Sequence, residues 1–125
     1  MILTDTSIWI EFLRQNPVYV PVLQELLKKR GIITIEPIFS ELLFGARNDK
    51  ERKIILSYWN LLPKLTFTTC GLLSAADYAN RNNFNNLDIS IIDAVIIKAV
   101  VENNCKIWTL DERIRKGIGR EYLYK

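Results

Sequence analysis

Four acidic residues of this sequence lie beside apolar segments rather than within polar ones. Asp5 and Asp111 each follow a short strand-like run directly. Glu41 and Asp93 lie within helical patterns, where each shares a face with apolar residues three or four positions away. Carboxylates in such positions are suited to acid–base chemistry and to binding a hard divalent cation such as Mg²⁺ or Mn²⁺.

The cost of gathering these acids favours the cation. A carboxylate on an apolar face costs several kcal/mol unless it is paired, protonated or bound to a cation. Two carboxylates about 5 Å apart also repel by about 3 kcal/mol at an effective dielectric constant of about 20. The chain has no histidine, and no lysine or arginine lies within three residues of Glu41 or Asp93. We therefore predict that Asp5, Glu41, Asp93 and Asp111 are both the metal ligands and the catalytic residues.

Each of these acids also has a structural interpretation. Asp5 is a suitable N-cap for the first helix, and Asp111 could occupy a turn or cap the segment after it. Ser90 and Asp93 have the spacing of a weak capping box. Glu41 could form a buried pair with an arginine. Because all four interpretations would have to hold at once, the shared metal site remains the favoured prediction.

Composition excludes several other chemistries. The chain has 125 residues, 49% of them hydrophobic and 25% charged, with a net charge of +3. Without histidine there is no Ser-His-Asp or Cys-His system and no His-based zinc site. Cys70 and Cys105 are expected to be buried thiols in a reducing compartment. No apolar run reaches the roughly 18 residues that span a bilayer, and no secretory signal is visible, so we expect a cytoplasmic protein without a membrane partner.

Strand-like and helical patterns alternate along the chain, which predicts an α/β fold with a central parallel sheet covered on both faces. The predicted strands are 2–4, 32–35, 65–68 and 106–110. Thr6 or Ser7 is the predicted N-cap of the first helix. The next two predicted helices begin at Pro17 or Pro21 and near Pro37, and the later ones cover 49–61, 71–82 and 90–103. The second helix is expected to stop at Gly31 and the third near Arg47, and a basic tail follows the last strand. We expect a single domain over 1–125, with its ligand site beyond the carboxyl ends of the strands.

Four segments carry a resemblance to a known family. They are 5–9 (Asp-Thr-Ser-Ile-Trp), 41–45 (Glu-Leu-Leu-Phe-Gly), 91–96 (Ile-Ile-Asp-Ala-Val-Ile) and 109–111 (Thr-Leu-Asp). In this order and spacing the sequence resembles a PIN-domain ribonuclease, specifically a VapC-type toxin of a toxin–antitoxin pair.

The resemblance implies a PIN-like three-layer sandwich with a short central parallel sheet, and a metal-dependent endoribonuclease. Asp5, Glu41, Asp93 and Asp111 would hold one or two Mg²⁺ or Mn²⁺ ions. Attack by water would leave 5′-phosphate and 3′-hydroxyl ends. The resemblance also implies an antitoxin partner, bound in a hydrophobic groove around the first helices, and a homodimer.

Basic residues fit an RNA substrate. Arg113, Arg115 and Lys116 follow Asp111 and could contact RNA phosphates beside the site. The basic residues within 47–53 are interleaved with acids, and we interpret them as a solvated helix face.

Several further assignments stay open from the sequence. Thr6, Ser7 and Thr109 could orient water or ligands, or could serve as caps and strand residues, and Asp88 is favoured as a residue that caps or precedes a helix. A PIN-like RNA-binding or partner-docking module without catalysis, and a housekeeping RNA-processing nuclease, are the alternative functions. A pure binding protein would gain nothing from four mutually repelling carboxylates, which favours the enzyme.

Overall fold

The computed structural model describes residues 1–66 and 71–125. Its central sheet has three parallel strands: β1 (Ile2–Thr4), β2 (Ile32–Ile33) and β3 (Lys106–Trp108). The strand order is β2-β1-β3, so β1 lies in the middle. Ile2 pairs with Ile32 on one side and with Lys106 on the other. The predicted short parallel sheet flanked by helices is confirmed.

The helices of the described residues surround this sheet. They are α1 (Thr6–Leu13), α2 (Val20–Lys28), α3 (Glu36–Phe44), α4 (Asp49–Leu61), α5 (Gly71–Arg81), α6 (Ile91–Glu102) and α7 (Glu112–Gly117). Short 3₁₀ turns lie at Phe84–Leu87 and Arg120–Tyr122. Asn48 caps α4 by accepting a hydrogen bond from the Glu51 backbone N–H at 2.9 Å.

Strand order places a topological switch beside β1. The chain pairs β2 with one edge of β1 and later returns to pair β3 with the other edge. In open parallel sheets, ligand sites form at the carboxyl ends of the strands where the order reverses. The residues that follow β1 and β3 therefore meet at the edge where a site is expected.

Apolar packing fixes the helices that surround this edge. Trp9 of α1 is fully buried, and its ring centroid lies 5.3 Å from that of Phe39 on α3 and 5.3 Å from that of Tyr58 on α4. In α6, the buried residues occur all round the helix: Ala94, Val95, Ile96, Ile97 and Val100. The middle of α6 is therefore an interior segment, whereas Ile91 and Ile92 in its first turn are exposed at the sheet edge.

Several predicted boundaries are wrong by a few residues. The N-cap of α1 is Asp5 rather than Thr6 or Ser7. Helix α3 ends at Phe44, before Arg47, because Gly45 supports a helix poorly and the Asn48 cap starts the next helix at once. The second and last strands are shorter than predicted, since the backbone leaves the sheet to enter α3 and α7.

The end of α2 also differs from its prediction. Arg30, not Gly31, takes the left-handed conformation, with φ of 55°. The Gly31 N–H then donates to the Leu26 carbonyl at 2.9 Å, which is a hydrogen bond of the Schellman type. The predicted basic tail instead contains α7, a short helix that starts at its Asp111 cap.

Some predictions fall partly outside the described residues. Of the predicted strand 65–68, Phe67 and Thr68 lie outside, as does Cys70; Lys64 forms an isolated parallel bridge with Thr34. Cys105 is a buried free thiol, as predicted. Within the described ranges, no helix combines the length and apolar character needed to cross a bilayer.

Candidate functional site

Asp5 is the buried acid at the carboxyl end of β1, with 5% of its surface exposed. Its backbone carbonyl accepts hydrogen bonds from the Ile8 and Trp9 N–H groups and so starts α1. Its carboxylate makes no capping bond to the helix. Instead, Oδ2 accepts hydrogen bonds from Thr109 Oγ1 at 2.7 Å and from Ser7 Oγ at 3.0 Å. The capping interpretation therefore explains the backbone of Asp5 but not its side chain.

Two backbone groups orient the hydroxyls that hold Asp5. Ser7 Oγ accepts the Leu110 N–H at 3.0 Å, and Thr109 Oγ1 accepts the Asp111 N–H at 3.0 Å. A hydroxyl has a single proton to donate, and each of these two donates it to Asp5 Oδ2. This network joins the end of β1 to the turn after β3. Within the described part of the chain, no hydrogen bond reaches Asp5 Oδ1, which is left available to a ligand.

Glu41 of α3 lies near the same edge. Burial raises the pKa of its carboxyl, and the negative charges of Asp5 and Asp93 raise the pKa further, while the Thr6 hydroxyl lowers it in part. Glu41 as a whole residue is exposed, so its carboxylate is only partly shielded from water. The electrostatic effect places Glu41 in one acidic group with Asp5 and Asp93.

Asp93 is a half-buried residue in the first turn of α6. Burial raises its pKa, a hydrogen bond from the Ser90 side chain lowers it, and the charges of Asp5 and Asp111 raise it again. The positive charge of Arg113 has a smaller, lowering effect. Ser90 caps α6 by accepting the Asp93 N–H at 3.1 Å. The capping interpretation is thus correct for Ser90, yet the Asp93 carboxylate still faces the other acids.

Asp111 differs from the other three acids because it already has a cationic partner. Oδ1 accepts the backbone N–H of Arg113 at 2.9 Å, which caps α7. The guanidinium adds Nε to Oδ1 at 3.3 Å and Nη2 to Oδ2 at 3.2 Å. Burial raises the pKa of Asp111, but the hydrogen bonds and charge of Arg113 outweigh burial and lower it overall. The capping interpretation of Asp111 is confirmed.

The four predicted acids come from four different parts of the chain; the charges of Asp5 and Asp93 act on Glu41, and those of Asp5 and Asp111 act on Asp93. The expected burial of these acids is wrong in detail: Asp5 is buried, Asp93 and Asp111 are half-buried, and Glu41 is exposed. Apolar neighbours at helical spacing identify the face that a residue occupies, but not how deep that face lies. Here the face opens to solvent at the sheet edge.

The predicted basic residues have distinct environments. The Arg113 side chain is 53% exposed beside Asp111. Arg115 donates from Nη1 to the Thr109 carbonyl at 3.4 Å and to the Lys125 carbonyl at 3.0 Å, so it secures the C-terminal segment. Lys116 is exposed on α7.

The donor set fits a well-hydrated divalent ion. Over residues 1–66 and 71–125, no three acidic or cysteine side chains lie close enough to enclose one ion. Mg²⁺ usually keeps several waters and takes one or two carboxylates, so a dry cage is not required. Thr6 Oγ1 is buried without a hydrogen-bond partner in the described chain, close to Glu41. A water on such an ion would satisfy this hydroxyl.

Sequence reasoning left two contributions to the site unassigned. One is the joint role of Ser7 and Thr109, for which the signal was an Asp-x-Ser and a Thr-x-Asp at the ends of neighbouring strands. The other is the pairing of Arg113 with Asp111, for which the signal was their spacing of two residues at a helix start. The first signal becomes specific only when the two strands are known to be adjacent, and the second only when the geometry of Asp111 is known.

The raised pKa of Asp93 leads to a stability prediction for the metal-free protein. Its folded-state pKa lies above its unfolded value, so the folded state holds more protons and stability falls as pH rises through that window. Asp93→Asn removes this half-buried charge, so it should raise Tm at pH 7 and change Tm less at pH 4, where more of the carboxyl is protonated. Thermal melts with chelator at pH 4 and pH 7 measure this change.

Glu51 provides a control in which neutralising the carboxylate should change Tm at pH 7 in the opposite direction. Hydrogen bonds from the Arg47 backbone and side chain lower the pKa of Glu51. Its stabilising contribution is present above its unfolded pKa and is lost as pH falls, so Glu51→Gln should lower Tm at pH 7. A decrease in Tm for Asp93→Asn at pH 7 would contradict the repulsion that we infer among the acids.

Two solved structures are similar to this chain. A chain of VapBC2 from Rickettsia felis, bound to a DNA fragment from their promoter, matches with a TM-score of 0.76 and 18% identity, covering 100% of this chain and 98% of that one. A chain of FitAcB from Neisseria gonorrhoeae matches with a TM-score of 0.64 and 18% identity, covering 94% and 92%. At these identities the likeness shows the fold alone. No curated protein matches the sequence.

The sequence was also compared with models of protein families. The family described as PIN domain matches residues 2–117. The match spans all four acids and every strand, so it agrees with the β2-β1-β3 sheet and with the predicted PIN-like sandwich. The chain belongs to the PIN domain family.

Proposed function

We propose that this protein is a metal-dependent endoribonuclease and the toxin of a toxin–antitoxin pair. PIN domains are generally nucleases, which supports the reaction class. The observation that carries the proposal is the buried Asp5 carboxylate at the carboxyl end of β1, held at Oδ2 by Ser7 and Thr109, within a group of acids that includes Glu41 and Asp93. In a protein that only binds RNA, such a group of acids would weaken the affinity, because carboxylates repel the RNA phosphates.

The proposed division of labour follows from the contacts. Asp5, Glu41 and Asp93 are the carboxylates that would hold Mg²⁺ or Mn²⁺. When bound, the ion would lower the pKa of a water and stabilise the charge that develops on the phosphate. Ser7 and Thr109 keep Asp5 in one orientation through their bonds to Oδ2. We call the group of four carboxylates, Asp5, Glu41, Asp93 and Asp111, the acidic edge. Within it, the oxygens of Asp111 are already hydrogen-bonded.

The reaction we propose is in-line hydrolysis of an RNA phosphodiester. The oxygen of water bonds to phosphorus, the bond from phosphorus to the 3′ oxygen breaks, and that oxygen takes up a proton. The products are a 5′-phosphate and a 3′-hydroxyl. We propose that Glu41 receives the proton released by water, because burial and the neighbouring charges of Asp5 and Asp93 raise its pKa and so make it a better proton acceptor.

Cleavage of end-labelled RNA tests this function. Pools of structured RNA, with single-stranded DNA of the same sequences as the control, are incubated with the protein in Mg²⁺, in Mn²⁺ or in chelator. We expect cutting of RNA only with metal, and products that carry 5′-phosphates. Cutting that persists in chelator would contradict the metal role. Metal binding without cutting of any RNA pool would favour the non-catalytic binding module.

An antitoxin is the protein partner that we propose. One support is the fold shared with the VapBC2 chain, which was solved on promoter DNA. Another is an apolar groove of about 590 Å³ between α1, α2 and α4, lined by Phe12, Pro17, Val20 and Tyr58 among others. An amphipathic helix of a partner protein would fit such a groove. These observations favour the toxin over a housekeeping nuclease, and a cytoplasmic location is part of the same proposal.

A homodimer is the assembly that we propose. Phe44 is 95% exposed at the end of α3, and it borders an apolar groove of about 560 Å³ with Pro37, Leu72 and Ile92. Exposed apolar patches of this kind are typical of interaction surfaces. Glu41 also lines this groove, so a second copy would cover a surface next to the acidic edge.

A further inference from the structure

The contacts of Asp111 separate it from the other acids. Its two oxygens accept the Arg113 backbone N–H, Nε and Nη2, at 2.9, 3.3 and 3.2 Å. The Ile114 backbone N–H also stabilises the charged form. A carboxylate has about four lone-pair positions, so these donors occupy most of its capacity. A divalent ion at Asp111 would have to displace a guanidinium that is already in place.

Asp5, Glu41 and Asp93 have no such partner. In the described part of the chain, none of the three forms an ion pair with lysine or arginine. Hydroxyl groups contact these acids, but none of the three carboxylates is neutralised by an ion pair in these residues, so they remain open to a cation. The acidic edge thus contains three carboxylates without a counter-ion and one that holds an arginine.

Arg113 keeps most of its hydrogen-bonding capacity. A guanidinium has five N–H donors, and Asp111 takes two of them, Nε and Nη2, which leaves three. Nη1 lies 3.8 Å from Oδ2 of the exposed Asp88, an ion pair that is too long for a hydrogen bond. The side chain is 53% exposed, and its positive charge lowers the pKa of Asp93. The remaining donors are therefore available to a ligand at the solvent-exposed side of the acidic edge, which we call the mouth of the site.

Arg115, its neighbour on the same short helix, is held by different groups. Arg115 Nη1 donates to the Thr109 and Lys125 carbonyls, which ties this half-buried side chain to the C-terminal segment. Arg113 is the arginine of α7 that is oriented by a carboxylate and has an exposed side chain. A planar guanidinium held on one edge is preorganised for a phosphate on the other edge.

We infer that Asp111 is a positioning residue for Arg113 rather than a metal ligand, and that Arg113 binds a phosphate of the nucleic acid at the mouth of the acidic site. The inference rests on the proposed function for the identity of the polyanion. The acidic edge would repel RNA, so a fixed cation beside it is needed to bring the backbone close.

RNA affinity and its salt dependence test the role of Arg113. Binding of a short fluorescent single-stranded RNA is followed by anisotropy in the Asp5→Asn background, so that no RNA is cut. Arg113→Ala should weaken binding about ten-fold and reduce the slope of log K against log [salt] by about 0.7, the value for one phosphate contact on a single strand. Arg113→Lys should restore the slope but only part of the affinity. Arg52→Ala, which removes another exposed arginine paired with an aspartate, should leave the slope unchanged.

Asp111→Asn gives the sharper result because loss of its charge and loss of its positioning role predict opposite changes in RNA affinity. Removing a negative charge near RNA should strengthen binding, whereas loss of positioning should weaken it roughly three-fold. Asparagine still caps a helix, so α7 should stay folded. In the Arg113→Ala background, Asp111→Asn should have almost no further weakening effect, as a double-mutant cycle would show. Tighter RNA binding by Asp111→Asn alone would overturn the inference.

Metal binding distinguishes the two roles of Asp111 directly. With Asp5 intact, the rise in Tm on addition of Mn²⁺ should be unchanged in Asp111→Asn, because the ion is held by the other acids. Loss of that rise would identify Asp111 as a ligand and refute the positioning role. These measurements need no cleavage. If the wild-type chain cuts no RNA but Arg113→Ala still lowers the salt slope, the proposed function fails and this inference stands; if it cuts RNA and the slope is unchanged, the reverse holds.

Discussion

Replacing Asp5 with asparagine is expected to slow RNA cleavage by about 10³-fold or more, which corresponds to about 4 kcal/mol of transition-state stabilisation. Asp5 is the buried acid of the site, and its free Oδ1 is the oxygen best placed to hold an ion. Asparagine can still accept the hydrogen bonds from Ser7 and Thr109, so the fold should be retained. The charge and one ligand oxygen are what the substitution removes.

Two measurements separate a loss of chemistry from a loss of structure. Single-turnover cleavage rates with saturating Mn²⁺ report the chemistry, and thermal melts with and without Mn²⁺ report folding and metal binding. Asp5→Asn should melt cooperatively and should lose most of the metal-induced rise in Tm. The matched control is Asp77→Asn on α5, where an exposed carboxylate pairs with Arg81 at 3.0 Å. Equal cutting by wild type and Asp5→Asn would point to a contaminating nuclease and defeat the proposed function.

Much of the acidic site could be predicted because it depends on strand ends. Residues that follow parallel neighbouring strands must meet at one sheet edge, which is why Asp5, directly after β1, and Asp111, three residues after the end of β3, lie at the same edge. Helical spacing likewise identified the faces that carry Glu41 and Asp93. These inferences need only periodicity and the carboxyl-end rule, and both are local properties of the chain.

The partners of each acid could not be predicted in the same way. Asp5 and Thr109 are 104 residues apart in sequence, and their hydrogen bond depends on the order β2-β1-β3. The Arg113 pair is local, but choosing between a cap, an ion pair and a metal ligand at Asp111 requires geometry. The predicted burial of the acids was wrong for a related reason. A sequence pattern shows which side of a helix is apolar, but the neighbouring elements decide how much of that side is covered.

The positions at which helices begin and end were the weakest predictions. The stop at Arg30 places a non-glycine residue at φ of 55°, although Gly31 is adjacent. Helix α7 was interpreted as a basic tail because its six residues carry too few apolar positions to form a periodic pattern. Its start depends on the Asp111 cap, and Ile114 alone is buried from it. Short helices of this kind are set by capping and by tertiary contact more than by propensity.

Removing both hydroxyls that hold Asp5 is the second large effect that we expect. The double variant Ser7→Ala, Thr109→Val should cut RNA about 10²-fold more slowly than wild type, because Asp5 loses both donors to Oδ2 and is free to rotate. It should also be less stable by about 2–4 kcal/mol, since the Leu110 and Asp111 N–H groups lose their acceptors. Cleavage rates measured well below Tm separate the two effects.

The conservative exchanges decide whether these residues position Asp5 or only stabilise the fold. Ser7→Thr and Thr109→Ser each keep a hydroxyl that can accept the backbone N–H and donate to Asp5, so each should retain activity within a few-fold of wild type. The effects of the two single removals should add up to less than the effect of the double variant, because one remaining hydroxyl still restrains the same oxygen. If Ser7→Ala and Thr109→Val lower stability while leaving the cleavage rate and the metal-induced rise in Tm unchanged, the network serves the fold alone. If rate and metal response fall together and the conservative variants restore both, the turn after β3 controls the chemistry at the end of β1.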